Sequence, residues 1–320
     1  MALLGKKDGG VRAGLFIFGG VMQYVVLSKL SEWSYRLEEC VDLPYNMGSS
    51  SELFSNQEVA EDNLKNLKKT IGNKWVDRVY AGIQSKDVLL RTVELPAMSI
   101  EDIRDSFKYE FDRFFPIPAE DSVYDITFVE RPSGDDSTQG AIVHCLAAAV
   151  RNTTVENFMA AAQKTGLKLS GIEPAPVAML RCLMGPNPPM SGFNIYALAG
   201  IASSVIVATY KDNGIVYRNT TQAFAAEDPE GRTIANFTRD LQATVNFAST
   251  QMRGFAAEKV CIGGYGALYG NTLISSVQEV VSAPIELVNP WELWTIGNQP
   301  KQAYGWEVAL GLALRPTEVK

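Results

Sequence analysis

Short apolar runs interrupted by glycine turns dominate this chain, and this pattern is typical of β-hairpins. Residues 13–27 form one such segment, broken only by Gly19-Gly20. The pattern returns in the second half, where residues 194–210 are broken around Gly200. Because two apolar runs around a glycine turn predict two antiparallel strands, each half is predicted to open with a hairpin.

Other segments repeat apolar residues every three or four positions, which predicts helices. The clearest begins at Ser99, which forms a capping signature with Asp102, continues through a phenylalanine stripe and ends at Pro116. Further helices are predicted at residues 58–71, 154–165, 174–183, 234–252, 271–281 and 304–314. Further strands are predicted at residues 79–83 and 88–93, interpreted as a pair, and at 123–130, 141–150, 167–172, 214–218 and 259–262.

The mixture of strands and helices predicts an α/β protein of two lobes. The run GPNPP at residues 185–189 is the strongest linker signal and separates the halves. Residues 94–166 alternate strands and helices as a compact block, which predicts an inserted α+β subdomain. The first lobe is predicted to contain residues 1–93, 167–189 and 301–320, and a truncated second lobe residues 190–300.

Composition narrows the classes of function. The 320 residues are 46% hydrophobic and 20% charged, enough to bury a core. The chain carries 29 Lys and Arg against 36 Asp and Glu, a net charge of −7, which argues against a nucleic-acid partner. The single histidine, His144, excludes multi-histidine metal sites, and the four cysteines lack the C-x-x-C spacing of zinc or redox sites.

The start of the chain does not have the pattern of a signal peptide. Its longest apolar run, residues 13–27, contains three glycines and is shorter than the roughly 20 residues of a membrane span. We therefore expect a cytoplasmic protein.

Several short motifs, taken in order, resemble one family. They are ELPAM at residues 94–98, FPIP at 115–118, GIEP at 171–174, GGYGA at 263–267, NPW at 289–291 and GLALR at 311–315. This series resembles PilM, the cytoplasmic actin-like component of type IV pilus assembly. The resemblance implies an actin-like, ribonuclease H-like duplicated α/β fold with an inserted α+β subdomain.

Three departures from the family bear on function. Actin-like ATPases carry an Asp at each hairpin turn, which helps to hold Mg²⁺ and the phosphates. Here Phe16 and Phe18 precede the first turn, and Ala or Leu stands in place of the second Asp, in the segment Leu198-Ala199. Mg²⁺ requires oxygen ligands, which these side chains lack. Only residues 219–232 stand where the family has an adenosine-contacting subdomain, so that second-lobe subdomain is predicted to be reduced or missing. ATP and Mg²⁺ are the family's ligands, yet we expect a pseudo-ATPase with no cofactor, metal site or catalytic residue.

The residues that remain at the nucleotide-binding positions are interpreted as vestigial. They are Gly19, Gly20, Glu173, Gly200, Ser203, Ser204, Gly263, Gly264 and Gly266. The glycine-rich turn could cradle a nucleotide, but an inherited tight turn is favoured. Glu173 could act as a base, but a place in the first turn of a helix is favoured.

The resemblance also implies a protein partner. In the PilM family, a cleft between the first lobe and the insert receives an extended segment from the cytoplasmic tail of PilN, and such docking uses main-chain hydrogen bonds and apolar pockets. Candidates for this groove are Leu95, Phe107, Phe111 and Phe115, although the same stripe fits the core of the insert.

The leading hypothesis is a non-catalytic scaffold, peripheral at the inner membrane through a PilN-like protein. Contacts with other platform subunits and self-association to a homo-oligomer stay open. One alternative is an actin-like ATP-binding protein or weak ATPase of the same machinery. Another is a cytoplasmic adaptor of a type II secretion system.

Overall fold

The computed structural model describes residues 10–18, 20–31, 33–44, 54, 56–132, 142–224, 231–252 and 254–316. The described strands form three sheets, two of five strands and one of three. No helix in these ranges is both long and apolar enough to cross a membrane.

The first lobe is built on a mixed five-stranded sheet. Three strands form an antiparallel meander: β1 (Val11–Phe18), β2 (Val21–Lys29) and β3 (Tyr35–Pro44). β4 (Val79–Ile83) runs parallel to β1, and β8 (Leu169–Pro174) runs parallel to β4. Both faces of the sheet are covered, and this explains why the first hairpin consists of nearly continuous apolar runs.

The second lobe repeats the same topology. β9 (Phe193–Leu198), β10 (Ser204–Tyr210) and β11 (Asn213–Thr220) form the antiparallel meander. β12 (Ala257–Gly263) runs parallel to β9, and β13 (Ile285–Leu287) runs parallel to β12. The strand orders β3-β2-β1-β4-β8 and β11-β10-β9-β12-β13 therefore correspond one to one, and the duplication expected from the two hairpins is confirmed.

The insert is a three-stranded antiparallel sheet with one helix on one face. β5 (Leu89–Pro96) and β6 (Ser122–Phe128) flank the central β7 (Ile142–Arg151). Helix α2 (Ile100–Glu110) begins after Ser99, whose hydroxyl accepts the Asp102 N–H as the capping signature predicted. Apolar side chains from the helix and the sheet bury one another and form a separate small core.

Helices cover the outer face of each large sheet. On the first lobe, α1 (Gln57–Ile71) and α3 (Asn152–Thr165) pack against each other and against the sheet. On the second lobe, α5 (Arg232–Gln251) and α6 (Asn271–Gln278) do the same, and the short α7 (Pro290–Leu293) follows β13.

Two helices lie between the lobes and join them into one core. They are α4 (Ala175–Met184) and α8 (Glu307–Ala313), which pack against each other and contact strands of both sheets. The contact is close because it uses glycine: a Cβ on Gly14 of β1 would lie 1.9 Å from a carbonyl oxygen of α8. A Cβ on Gly311 of α8 would lie 1.9 Å from a carbonyl oxygen of α4. These glycines let the backbones approach to distances that no other residue permits.

The structure differs from the prediction at both ends of the insert. β5 pairs with β7, not with β4, so the insert begins at residue 89 instead of 94. α3, which the prediction placed in the insert, packs on α1 because Phe158 belongs to the core of the first lobe. The insert therefore spans residues 89–151. Strands β3 and β13 were absent from the prediction.

Candidate functional site

A cavity of about 410 Å³ lies between the two lobes, and we call it the inter-lobe cavity. Its walls come from the end of β1, the turns after β4 and β9, the end of β11, and the sides of α4 and α8. Strand ends and hairpin turns meet here, so this is where the sequence predicted a nucleotide cleft. The lining residues are Phe16, Phe18, Gln84, Ser85, Lys86, Ala175, Met179, Leu198, Gly200, Ile201, Ala202, Ser203, Val205, Asn219, Thr220, Thr221, Tyr265, Gly305 and Val308.

One wall of the inter-lobe cavity is aromatic. Phe16 and Phe18 are two residues apart in β1, so their rings lie on the same face of the sheet. The rings stack with centroids 5.6 Å apart and an interplanar angle of 15°. Buried aliphatic side chains complete the floor, among them Met179, Val205 and Val308. The surface is therefore largely apolar where an ATPase would be strongly polar.

The described lining lacks the carboxylates that commonly hold a magnesium ion. Among the lining residues that the structure describes, none bears a carboxylate, and Lys86 is the single charged side chain. Across the described ranges, no group of three or more His, Cys, Asp and Glu side chains is placed to hold a metal ion. Mg²⁺ prefers carboxylate and other oxygen ligands, and the stacked rings supply none. Apart from the phenol of Tyr265, the polar side chains of the described lining are Lys86 and six neutral hydroxyl or amide groups, those of Gln84, Ser85, Ser203, Asn219, Thr220 and Thr221.

The two hairpin turns differ in their use of glycine, because Gly20 has a positive φ and Gly200 does not. Gly20 adopts a φ of +81°, which favours glycine, and Gly19 lies outside the described residues. Gly200 and Ser203 line the inter-lobe cavity. Ser204 is fully buried, and its hydroxyl donates to a main-chain carbonyl two residues beyond β11 at 2.8 Å. The predicted serine pair is thus divided, with one member at the cavity and one used inside the lobe.

The glycine-rich turn after β12 is packed against the protein. The N–H of Gly264 donates to Oε1 of Glu307 at 2.7 Å, and the N–H of Gly266 donates to the carbonyl of Ala199 at 2.9 Å. A Cβ on Gly263 would come within 2.5 Å of a leucine of α4, and one on Gly266 within 2.3 Å of the Ala199 side chain. The glycines therefore serve close packing, and two of their N–H groups are already used.

Glu307 is a carboxylate buried between the lobes, and sequence reasoning did not single it out. Its side chain has no exposed surface, and its two oxygens accept the N–H groups of Gly264 and Gly305 at 2.7 and 2.8 Å. Burial raises the pKa of this carboxyl to about 7, against the opposing effect of the N–H donors. Glu307 therefore ties the glycine-rich turn of the second lobe to helix α8.

Glu173 belongs to an ion-pair cluster outside the inter-lobe cavity. Arg181 binds both of its oxygens, at 2.6 and 3.1 Å, and Arg315 lies 3.4 Å away. Arg181 also donates to the carbonyl of Gly311. Glu173 lies in β8, so the predicted place in the first turn of a helix is wrong. Two guanidinium groups engage its carboxylate, which therefore serves as a structural anion.

A second depression, about 400 Å³, lies between the insert and the first lobe, and we call it the insert groove. Its floor is the face of the insert sheet opposite α2, and its far wall is the end of β8 with the start of α4. The lining residues are Ile83, Val88, Leu90, Val123, Tyr124, Asp125, Ile126, Thr127, Leu146, Ala148, Ala149, Val150, Val155, Ile172, Glu173, Pro174, Val177, Arg181 and Arg315.

The floor of the insert groove follows the alternation of the strands. In β7, Leu146 and Ala148 face the groove, whereas Cys145 and Ala147 face the core of the insert. β6 is an edge strand of its sheet, so its outer main-chain groups border the groove. The groove therefore joins an apolar floor to a strand edge.

The four residues proposed for the partner groove lie elsewhere. Leu95, Phe107, Phe111 and Phe115 are 6%, 1%, 0% and 3% exposed, and they form the core of the insert. None of them lines the insert groove. The phenylalanine stripe therefore forms the core of the insert, which was the alternative that its helical spacing also fitted. The groove residues of β7 were missed, although apolar residues at consecutive positions 145–150 indicate a strand covered on both faces.

No model of a known protein family matches the sequence, and no curated protein matches it significantly. Among solved structures, the chain is similar to one described as the PilM-PilN type IV pilus biogenesis complex, with a TM-score of 0.71 and 20% identity over 95% of this chain and 98% of that chain.

Two further structures share the fold at 10% identity and a TM-score of 0.51. One is a Bacteroides thetaiotaomicron protein with an actin-like ATPase fold and unknown function, over 99% of this chain and 100% of that chain. The other is the cytoplasmic domain of EpsL, an inner membrane component of the type II secretion system of Vibrio cholerae, over 96% of both chains. The chain therefore has the actin-like fold, with an arrangement of lobes and insert similar to that of PilM.

Proposed function

We propose that this protein is a non-catalytic scaffold of a type IV pilus, or of a related secretion platform, at the cytoplasmic face of the inner membrane. The proposal is supported above all by the inter-lobe cavity, whose stacked phenylalanines precede the first hairpin turn, where the resemblance to actin-like ATPases leads us to expect an Asp. The similarity to PilM supports the choice of machine. Such a pseudo-ATPase would act by binding other proteins and not by hydrolysing ATP.

The insert groove is the proposed binding site for the cytoplasmic tail of a PilN-like membrane protein. An extended segment can add to the edge strand β6 through main-chain hydrogen bonds, while its alternate side chains contact the apolar floor formed by Leu146 and Ala148. At the far wall, Arg181 and Arg315 face a single carboxylate, Glu173, so this end of the groove carries a net positive charge.

Titration of the purified protein with a peptide of the tail tests the partner assignment. Ala148→Trp puts a large side chain on the groove floor, and we expect it to lower the affinity for the peptide by at least about tenfold. Ala243→Trp adds the same side chain at an exposed position of α5, and affinity should not change. Equal affinity in both variants would rule out the insert groove as the site.

A weak ATPase of the same machinery is the main competing function. It requires an available carboxylate, and Glu173 is held by two arginines outside the inter-lobe cavity. Phosphate release above background that disappears in Glu173→Gln would establish the ATPase and refute the scaffold.

The similarity to the EpsL domain supports a type II secretion adaptor as a second candidate. The two machines differ in their membrane partners, so the genes beside this one separate them. Genes for pilus membrane proteins immediately downstream favour the pilus assignment, and genes for secretion-system membrane proteins would replace it.

A further inference from the structure

A further depression, of about 590 Å³, lies beside the proline-rich linker, and we call it the linker pocket. It is bordered by the tip of the β2–β3 hairpin, one side of α4, the linker at residues 185–188 and the chain after α8. The insert groove and the linker pocket share two lining residues, Val177 and Arg181. These two are four positions apart in α4, so they lie on one face of the helix. The two depressions therefore adjoin along this face of α4.

The chain that follows α8 continues the same boundary. Arg315 lines the insert groove, whereas Leu314 and Pro316 on either side of it line the linker pocket. Arg315 lies 3.4 Å from Glu173, which Arg181 also binds, so a single ion-pair cluster holds the boundary together. An extended segment that lies in the insert groove and continues past these two arginines enters the linker pocket.

The linker pocket has a buried aromatic floor and an exposed aromatic rim. Tyr35 and Trp294 are buried, and their rings meet edge to face with centroids 6.0 Å apart. Trp33 is 52% exposed and Leu30 is 60% exposed, on a turn closed by a hydrogen bond from the N–H of Leu30 to the carbonyl of Ser34. Tryptophan is enriched among the residues that carry most of the binding energy of protein interfaces. The pocket therefore suits a large apolar side chain, held between its floor and Trp33.

The linker pocket is cationic although the protein is acidic. Its described lining carries three cations and one carboxylate, namely Arg12, Lys29, Arg181 and Asp212. The net charge of this lining is therefore +2, whereas that of the whole chain is −7. Glu173 and Arg315 at the boundary cancel each other and leave the sum unchanged. Charge complementarity favours an occupant with an acidic side chain.

We propose that the tail of the membrane partner continues beyond the insert groove and places an acidic and a large apolar side chain in the linker pocket. This inference rests on the proposed function, because it takes the insert groove as the site of the tail. Once the first part of the tail is bound, the second contact is intramolecular, so one flexible segment gains affinity from two adjoining sites.

Calorimetric titration with a synthetic peptide of the whole cytoplasmic tail tests the proposal. We expect Trp33→Ala to lower the affinity by about tenfold, because the rim of the linker pocket is lost. Lys29→Glu should lower it by about three- to tenfold, and less at high salt, because Lys29 is exposed and its charge is screened. Phe247→Ala and Lys69→Glu make the same changes at exposed positions that line neither depression, and they should keep the native affinity.

Peptides shortened stepwise from each end separate a direct contact from an indirect one. Shortening from one end should abolish the effect of Trp33→Ala while the effect of Ala148→Trp in the insert groove persists, since only residues in contact are coupled. If Trp33→Ala weakens every peptide that still binds by the same factor, the tail does not reach the linker pocket and the proposal is overturned.

The same titrations distinguish this proposal from the proposed function. Native affinity in Trp33→Ala and Lys29→Glu, with loss of affinity in Ala148→Trp, overturns the extension and leaves the insert groove as the site. Native affinity in Ala148→Trp as well, or no binding to the native protein, overturns both. Phosphatidylglycerol vesicles that bind the native chain but not Trp33→Ala would assign the linker pocket to the membrane, and self-association that Trp33→Ala abolishes would assign it to a second copy; either result replaces the proposal.

Discussion

Replacing Glu307 with glutamine should remove a specific pH dependence from the stability of the fold. The carboxyl is fully buried between the lobes, and burial raises its pKa from 4.5 to about 7. Between these two values the unfolded chain has lost the proton and the folded chain keeps it. The stabilising contribution of Glu307 is therefore complete below pH 4.5 and is lost as the pH rises through about 7.

The size of this effect follows from the two pKa values. Each pKa unit corresponds to about 1.36 kcal/mol, so the difference between 4.5 and about 7 corresponds to about 3 kcal/mol in the free energy of unfolding. Most of that falls between pH 5 and pH 8. The neighbours that sense the charge, Cys182, Tyr265 and Tyr304, have pKa values raised chiefly by burial, so they stay neutral over this range.

The assay is urea unfolding at a series of pH values, with the native chain and Glu307→Gln compared at each. The glutamine cannot accept both N–H groups that the carboxylate accepts, and this loss lowers stability similarly at every pH. The diagnostic quantity is the difference between the two proteins, which should shift in favour of the variant by about 2–3 kcal/mol from pH 5 to pH 8. A difference that stays constant with pH would show that Glu307 titrates normally and that the reasoning is wrong.

Three further predictions concern packing, charge and thiol chemistry. Gly266→Ala should destabilise the protein by about 1–3 kcal/mol, because the new Cβ would lie 2.3 Å from a neighbouring side chain, whereas Gly297→Ala meets no atom within 4 Å and should be nearly neutral in the same melting experiment. Arg181→Met should lower the free energy of unfolding by about 3 kcal/mol, because the buried carboxylate of Glu173 loses its main partner. Adding Glu173→Gln should recover most of that loss. A double variant whose destabilisation equals the sum of the two single changes would contradict the ion pair. The four cysteines are free thiols whose pKa values burial raises, so a thiol reagent at pH 8 should modify them quickly only after unfolding, and rapid labelling of the native protein would contradict this.

The duplicated topology was predictable because hairpins are local. Each glycine turn lies between strands that pair with their sequence neighbours, so the pattern alone predicted β1 with β2 and β9 with β10. β3 was missed because its apolar and charged residues do not alternate cleanly and most are only half-buried. The pairing of β5 with β7 joins segments some fifty residues apart, and no local pattern encodes it.

The candidate site was less predictable from the sequence, because the same spacing of apolar residues occurs in a buried core and along a groove. The phenylalanine stripe at residues 107–115 has the period of a helix face, and that period is the same whether the face lies in a core or along a groove. Glu307 stands in an apolar run, and only the fold shows that two glycine N–H groups meet it. That no acid stands at the two hairpin turns is read directly from the sequence, and the lack of a metal site there stays a prediction.

Calorimetric titration of the full chain with ATP and Mg²⁺ examines the central claim most directly. A wall of stacked rings with one peripheral cation should give no saturable binding up to millimolar nucleotide, while the tail peptide still binds in the same cell. Saturable heat in the micromolar range would contradict that account.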